Sequence, residues 1–131
     1  MDGLFTDELV IRVDRTVPAC LRLDWAGSST HVNPGEVLSS FFEKMLAEAR
    51  AGGSFIEMHF EALRYFNSST LATLIRLIKT AMFAKVALRI HYDPNLKWQA
   101  VSFQPIERAV QSFGTRDKPK VEFILTPSPP S

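Results

Sequence analysis

The segment from residue 55 to residue 82 most constrains the fold, because it places a strand pattern directly before a helix pattern. In residues 55–63, apolar side chains alternate with charged or imidazole side chains, as in a strand with one dry and one wet face. The apolar members are Ile56, Met58, Phe60 and Ala62, and the polar members are Glu57, His59 and Glu61. Apolar residues then recur at helical spacing, at Leu71, Leu74, Ile75, Ile78 and Met82. We therefore expect an amphipathic helix that packs on one face of a sheet.

The amino-terminal third of the chain predicts a hairpin and a helix. Residues 9–13 and 20–25 each alternate in polarity, and the residues between them favour a short connection, which predicts two antiparallel strands. A helix is then expected to begin with Asn33 as its cap and Pro34 at its first position. This helix should stop at the glycine pair that begins with Gly52.

The carboxy-terminal third predicts two more strands and a third helical region. The strands cover residues 86–92 and 121–125, and the helical region covers residues 96–110. Pro105 removes a backbone hydrogen bond there, so we expect a kink or a division into two short helices. Residues 126–131 contain three prolines and are expected to form a flexible tail.

The resulting order is β-β-α-β-α-β-α-β, in which helices separate the last three strands. Strands that are separated by helices usually pair in parallel, through right-handed crossovers. Because the strands alternate in polarity, only one face of the sheet can be buried, and the helices should cover mainly that face. The sequence thus predicts an α/β fold with a mixed β-sheet, in a single domain over residues 1–125.

Composition excludes several classes of protein. The 131 residues, 46% of them hydrophobic, suffice for one core. Lys and Arg (15) nearly balance Asp and Glu (14), so nucleic-acid binding is not expected. No apolar run approaches the roughly 18 residues of a membrane span, and residues 1–7 do not resemble a signal peptide. We therefore expect a cytoplasmic protein that does not bind membranes.

Catalytic motifs are missing from the sequence. A nucleophilic serine would need a base and an orienting acid, and there is no Gly-x-Ser-x-Gly elbow. Cys20 is the single cysteine, so an intrachain disulfide or a cysteine metal cluster is excluded. We expect a protein that is not an enzyme and that has no cofactor.

The turn between the predicted strand and helix is the strongest functional feature. Residues 67–70 read Asn-Ser-Ser-Thr, four consecutive polar side chains at the start of a helix. The first N–H groups of a helix lack intrahelical partners and carry partial positive charge, so they would hold a phosphoryl group on Ser68. The simpler alternative is helix capping, which stabilises a helix by about 1 kcal/mol and needs only one such residue.

With this turn and this order of elements, the chain resembles the STAS domain of bacterial anti-sigma-factor antagonists. In that family a strand ends in an Asp-Ser-Ser/Thr-Gly-Leu-Gly turn. The first hydroxyl after the aspartate is phosphorylated by a partner-switching kinase and dephosphorylated by a PP2C-type phosphatase. The resemblance makes Ser68 the phosphoacceptor, with Ser69 and Thr70 as secondary candidates. Asn67 stands in place of the aspartate, and Thr70 and Ala72 replace the glycines, so the effect on kinase recognition stays open.

The form Tyr-Phe-Asn-Ser-Ser at residues 65–69 is most similar to the SiaC-type branch of STAS-like regulators, whose turn commonly reads Phe-Asn-Thr-Ser. In that branch the unphosphorylated protein binds and activates a diguanylate cyclase. The resemblance implies a serine/threonine kinase of the anti-sigma type, a PP2C-type phosphatase and a downstream effector such as a diguanylate cyclase as partners. Whether phosphorylation activates or inhibits, and whether the chain forms a homodimer, stay open.

A phosphate affects docking only within a few ångströms, so partners should contact the turn and the exposed side of the following helix. The expected partner-binding residues are Asn67, Ser68, Ser69, Thr70, Thr73, Arg76 and Lys79. The competing hypothesis is a constitutive structural subunit of a sensory complex, in which the serine turn serves only as a cap.

The wet face of the strands offers a second group of polar residues. Two imidazoles and two carboxylates can form a divalent-metal set, which here comprises Glu57, His59, Glu61 and His91. Salt pairing competes with metal binding, because three arginines are expected on the same face, Arg12, Arg22 and Arg89. Cross-strand pairs of opposite charge contribute roughly 0.2–1 kcal/mol each. Salt pairing is the favoured interpretation, so the sequence assigns no metal site.

Overall fold

The computed structural model describes residues 3–30, 34–112 and 121–126. Within these ranges the chain forms seven strands and three helices. The strands are β1 (Gly3–Phe5), β2 (Leu9–Asp14), β3 (Cys20–Ser29), β4 (Phe55–His59), β5 (Leu63–Phe66), β6 (Leu88–Tyr92) and β7 (Val121–Leu125). The helices are α1 (Gly35–Gly52), α2 (Ser68–Phe83) and α3 (Lys97–Ser112).

All seven strands form one mixed sheet, with the order β1-β2-β3-β4-β6-β7 and with β5 also paired to β3. The strands β1, β2 and β3 pair antiparallel, so the predicted opening hairpin is confirmed and is extended by the short strand β1. The pairs β3–β4, β4–β6 and β6–β7 are parallel, as the intervening helices predict. The predicted mixed α/β sheet is therefore correct.

The predicted strand over residues 55–63 is wrong in its second half, because the chain turns after His59. The N–H of Leu63 donates to the carbonyl of Phe60 over 2.9 Å, which closes the turn. Strand β5 then pairs with the end of β3, where the register shifts between Gly27 and Ser28. Ala62 lies in this turn and is exposed, whereas strict alternation placed it on the dry face.

The side chain of Gln99 explains how this break is tolerated in the interior. Its Nε2 donates to the carbonyls of Phe60 and Leu63 over 2.6 and 3.1 Å, and its Oε1 accepts from the N–H of Asp93 over 2.7 Å. Gln99 is fully buried. One amide on α3 therefore hydrogen-bonds three backbone groups around this break, and it shares the Phe60 carbonyl with the N–H of Leu63.

The ends of α1 follow their sequence signals with one difference. Gly53 adopts the left-handed conformation (φ 66°), as a glycine stop predicts. Pro34 is the cap of α1, and the first helical residue is Gly35, one position later than predicted. The predicted cap Asn33 lies outside the described residues.

Helix α3 is one continuous helix with Pro105 inside it, so of the two predicted outcomes, a kink or a division into two short helices, the division does not occur. Pro105 and Val101 are both on the exposed side of α3. Water can therefore hydrogen-bond the carbonyl of Val101, which the missing N–H of Pro105 leaves without its usual helical donor.

The helices cover one face of the sheet, and the core lies between them. Alternate residues of the central strands are buried toward the helices, for example Leu23, Met58 and Ile90. At one end of the core Phe60 contacts Trp25 and Phe103, with ring centroids 4.8 and 4.9 Å apart. The opposite face carries the charged and imidazole side chains, which confirms the predicted one-sided packing.

Among the described residues, no helix combines the length and the apolar character that crossing a membrane requires.

Candidate functional site

The turn before α2 begins with a helix cap. Asn67 has an extended backbone (φ −89°, ψ 177°), and its side-chain oxygen accepts from the N–H of Thr70 over 3.0 Å. The same oxygen accepts from the hydroxyl of Thr70 over 3.0 Å. Asn67 therefore performs the capping that the simpler hypothesis assigned to this turn.

The hydroxyl of Thr70 is part of the interior. It lies 2.7 Å from the hydroxyl of Ser29 at the end of β3, and both residues are buried. The carbonyl of Ser29 also accepts from the N–H of Asn67 over 3.0 Å. These bonds fix the first turn of α2 against the sheet. Thr70 has no exposed surface, so its hydroxyl is out of reach of a kinase, contrary to its place among the secondary candidates.

Ser68 has the opposite environment. It is the first residue of α2 and is exposed, and Ser69 beside it is half-buried. Capping is already supplied by Asn67, so the Ser68 hydroxyl is not needed for it. At this position the hydroxyl lies at the positive end of the helix dipole, where added negative charge is stabilised. The sixteen residues of α2 include no Asp or Glu that would repel a phosphate.

An exposed stripe runs along α2 from this serine. Its members recur at intervals of three or four residues and are all exposed: Ser68, Ala72, Arg76, Lys79 and Phe83. We call these five residues the α2 stripe. Phe83 is 73% exposed, which is unusual for an aromatic side chain.

Four of the predicted partner-binding residues lie outside the α2 stripe: Asn67 and Ser69 are half-buried, and Thr70 and Thr73 are buried. Thr73 is buried, donates its hydroxyl to the carbonyl of Ser69 over 2.9 Å, and accepts from Arg76 over 3.2 Å. Thr70 is buried as described above. Both face the core because they share a side of α2 with Leu74 and Leu77, a spacing that could have revealed their burial. The predicted partner-binding set did not include Ala72 and Phe83, whose spacing from Ser68 was the available signal.

A second polar surface lies on the face of the sheet opposite the helices. The strand registers align a row of residues whose charge alternates in sign: Asp14, Arg22, Glu57, Arg89 and Glu122. Within it, Arg89 Nη1 lies 3.9 Å from Glu57 Oε2. Opposite charges in neighbouring strands stabilise this register, in agreement with the predicted salt pairing.

Beside this row, His59 lies between two carboxylates. Its Nε2 is 2.6 Å from Glu57 Oε1 and its Nδ1 is 3.1 Å from Glu61 Oε2. The neighbouring ring of His91 stacks on it, with centroids 4.0 Å apart and planes inclined by 13°. The polar residues that sequence alternation placed on this face are therefore in direct contact.

The protonation of this cluster follows from burial and contacts. Burial lowers the pKa of His59, but its hydrogen bonds to Glu61 and Glu57 outweigh burial, and the net pKa is raised above the ordinary value. Burial alone would raise the pKa of Glu57. The hydrogen bond from His59 and the charges of the nearby imidazoles outweigh burial, so the net pKa of Glu57 is below its ordinary value. Burial and then the charge of His59 lower the pKa of His91. A charged His59 beside a neutral His91 is the arrangement that these directions favour.

Comparisons with known proteins identify the fold. No protein-family model matches the sequence, and no curated protein does either. The solved structure of SiaC of Pseudomonas aeruginosa matches with a TM-score of 0.63 and 20% identity, over 98% of this chain and 100% of that chain. A protein of the DUF3478 family from Shewanella loihica PV-4, described as having a SpoIIAA-like fold, matches with a TM-score of 0.46 and 17% identity, over 93% of this chain and 91% of that chain. The chain therefore has a STAS-like fold, which it shares over nearly its whole length with SiaC of Pseudomonas aeruginosa.

Proposed function

We propose that this chain is a protein-binding regulator of a bacterial partner-switching pathway, and that phosphorylation of Ser68 controls its association with a partner. The observation that carries the proposal is the contrast within one turn. Asn67 and Thr70 are used for capping and anchoring, whereas the hydroxyl of Ser68 is exposed at the helix start. A turn that served only as a cap would need no exposed serine there.

The α2 stripe is the proposed docking surface. A phosphate on Ser68 would add a charge of about −1.5 to −2 at neutral pH, next to a helix whose exposed side carries the cations Arg76 and Lys79. A partner that contacts these cations with acidic groups would then meet a strong repulsive charge at the end of the same surface. Phosphorylation would in this way weaken docking without a change of fold.

The proposed partners are those that the STAS resemblance implies. They are a serine/threonine kinase of the anti-sigma type, a PP2C-type phosphatase and an effector such as a diguanylate cyclase. The proposed setting is the cytoplasm, and the proposed role is binding without catalysis. A homodimer is compatible with the proposal, because the proposed docking surface uses only one helix.

A binding titration tests this proposal, with the unmodified protein and Ser68→Asp as baits for the effector. We expect Ser68→Asp to weaken binding at least about tenfold, because like charges placed opposite each other in an interface cost several kcal/mol and about 1.4 kcal/mol corresponds to a factor of ten. Ser40→Asp, which adds the same charge at an exposed site on α1, should leave binding unchanged. Equal affinities for all three proteins would contradict the proposal that a charge at Ser68 controls binding.

Charge reversal of Arg76 and Lys79 to Glu tests the docking surface separately. Both side chains are exposed, so the double variant should fold normally, and its circular dichroism spectrum should match that of the unmodified protein. We expect it to bind the effector weakly even when Ser68 is unmodified.

The alternative is a constitutive subunit of a sensory complex, which the capping bond of Asn67 favours. In that case the chain would enter the complex with the same affinity whether or not Ser68 carries a phosphate. Phosphopeptide mapping separates the two functions, since only the switch requires modification at this turn.

A further inference from the structure

We propose that the open face of the sheet holds a Zn²⁺ site formed by Glu57, His59 and His91. The site goes beyond the proposed function, because it lies on the face of the sheet opposite the helices and shares no residue with the α2 stripe. It has two imidazole ligands and one carboxylate ligand, a set that Zn²⁺ prefers and that leaves a fourth position for water.

The three ligand atoms already converge. Glu57 Oε1 lies 2.6 Å from His59 Nε2 and 3.7 Å from His91 Nε2, and one ligand atom from each residue lies within 4.8 Å of the others. In a tetrahedral zinc site, bonds of roughly 2.0–2.2 Å separate neighbouring ligand atoms by about 3.3 Å. The two distances from Glu57 Oε1, 2.6 and 3.7 Å, lie below and above that value. Side-chain adjustments of about 1 Å would therefore complete the site.

Both imidazoles are oriented by a second contact. His59 Nδ1 lies 3.1 Å from Glu61 Oε2, and His91 Nδ1 lies 3.1 Å from the hydroxyl of Thr126. Histidines that bind metals commonly donate their other ring N–H to such an oxygen, which fixes the ring and directs the free nitrogen at the metal. Glu61 therefore acts as a supporting residue in this proposal and not as a ligand.

His91 Nε2 provides the independent observation. It is buried and has no hydrogen-bond partner, since Glu57 Oε1 at 3.7 Å is too distant for a hydrogen bond. A buried polar atom without a partner is costly, so it calls for an explanation. A metal ion between this nitrogen and Glu57 would give it the missing bond.

Two features of the cluster oppose zinc binding. A proton now joins His59 Nε2 and Glu57, and zinc would have to displace it to solvent. The two rings also stack with planes inclined by only 13°, so one ring must tilt before both nitrogens point at one ion. The ion pair of Glu57 with Arg89 does not oppose zinc binding, because Arg89 approaches Oε2 and leaves Oε1 available to the metal.

Isothermal titration of the metal-free full-length chain with ZnCl₂ tests the proposal. We expect one equivalent to bind, with affinity at least about tenfold weaker in His91→Ala and in Glu57→Gln. His31→Ala is the matched control, because His31 is the remaining histidine of the sequence, and it should bind zinc like the unmodified chain. Titration with Co²⁺ adds a spectroscopic readout, since the absorption bands of a tetrahedral cobalt site should be lost in His91→Ala.

A thermal melt of each metal-free variant checks that it is folded. If His91→Ala is unfolded, Thr126→Val is tested in its place. This change removes the hydroxyl that contacts His91 Nδ1, and it should weaken the affinity for zinc about tenfold. Absence of saturable binding by the unmodified chain up to about 1 mM Zn²⁺ would overturn the proposal, because a dissociation constant above that concentration is too weak for a preformed zinc site. Binding that survives in every one of these variants, or that is lost in His31→Ala, would overturn it as well.

Discussion

The hydroxyl groups of Ser29 and Thr70 lie 2.7 Å apart in the interior, where the end of β3 meets the first turn of α2. This contact, together with the cap at Asn67, holds the start of α2 in one position on the sheet. The exposed Ser68 therefore follows a turn that these hydrogen bonds hold in place, and under the proposed function its surroundings would not need to fold for a kinase or a partner to bind.

The Ser29–Thr70 contact should be measurable as a coupling energy. Thr70→Val keeps the shape of the side chain but leaves the buried Ser29 hydroxyl without this partner, so we expect a loss of about 1–3 kcal/mol in the free energy of unfolding. In a double-mutant cycle with Ser29→Ala, measured by urea denaturation, the coupling should be about 1 kcal/mol. Thr80→Val, at an exposed position of the same helix, is the control and should change stability little. Additive effects of the two buried changes would show that the contact contributes nothing.

Removal of the cap should destabilise the chain without exposing new apolar surface. Asn67→Ala removes the acceptor for the Thr70 N–H and hydroxyl, so we expect a loss of about 1 kcal/mol, within the usual range for a cap. Ser68→Ala is the comparison one position later. It should change the free energy of unfolding by less than about 0.5 kcal/mol, because substitutions of exposed residues rarely change stability by more than that. Thermal unfolding of both variants distinguishes the residue that caps from the residue that we propose is modified. The reverse order of stabilities would assign the cap to Ser68.

Gln99 should be essential for the break between β4 and β5. Gln99→Leu has a similar volume but removes the side-chain partner of the Leu63 carbonyl and of the Asp93 N–H, whereas the Phe60 carbonyl keeps its hydrogen bond from the N–H of Leu63. Each such loss costs about 1–3 kcal/mol, so we expect the two losses to lower the free energy of unfolding by about 2 kcal/mol or more in urea denaturation. Gln104→Leu on the exposed side of α3 is the control and should be nearly neutral. A nearly neutral Gln99→Leu would mean that water replaces the amide.

The ion pair of Arg15 and Glu48 predicts a small dependence of stability on pH. Two hydrogen bonds of 2.6 and 2.7 Å join the side chains, and the hydrogen bond from Arg15 lowers the pKa of Glu48. A carboxyl with a lowered pKa contributes stability above its ordinary pKa and loses it as pH falls through the lowered value. Because both side chains are about one-third or more exposed, Arg15→Gln should cost no more than about 0.5 kcal/mol at neutral pH. This cost should vanish in acid and in about 1 M salt, and chemical denaturation at two pH values and two salt concentrations checks it.

Much of the fold was predictable because period and polarity reflect local geometry. The alternation of residues 20–25 and the helical spacing from Leu71 to Met82 each describe one element and its buried side. The break after His59 was not predictable, because it depends on Gln99, which reaches the turn from a helix almost forty residues later. Sequence periodicity contains no information about such a distant hydrogen bond.

The candidate site was predictable in position but not in detail. The start of α2 at Ser68 followed from its capping sequence, and the helical spacing of Leu74 and Leu77 indicated the buried side on which Thr70 and Thr73 lie despite their polar character. Their hydroxyls are satisfied by Ser29 and by the carbonyl of Ser69, and these partners become known only in three dimensions. The stacking of His59 on His91 likewise depends on the register of β4 and β6, which a helical crossover does not reveal.

Phosphopeptide mapping of the chain, isolated from its host under conditions that activate the kinase, tests the central claim most directly. The account predicts one phosphate on the peptide that contains Ser68, no phosphate on that peptide in Ser68→Ala, and retained phosphate in Ser69→Ala. Phosphate on Ser39 or Ser112 with none in the turn, or undiminished phosphorylation of that peptide in Ser68→Ala, would contradict it.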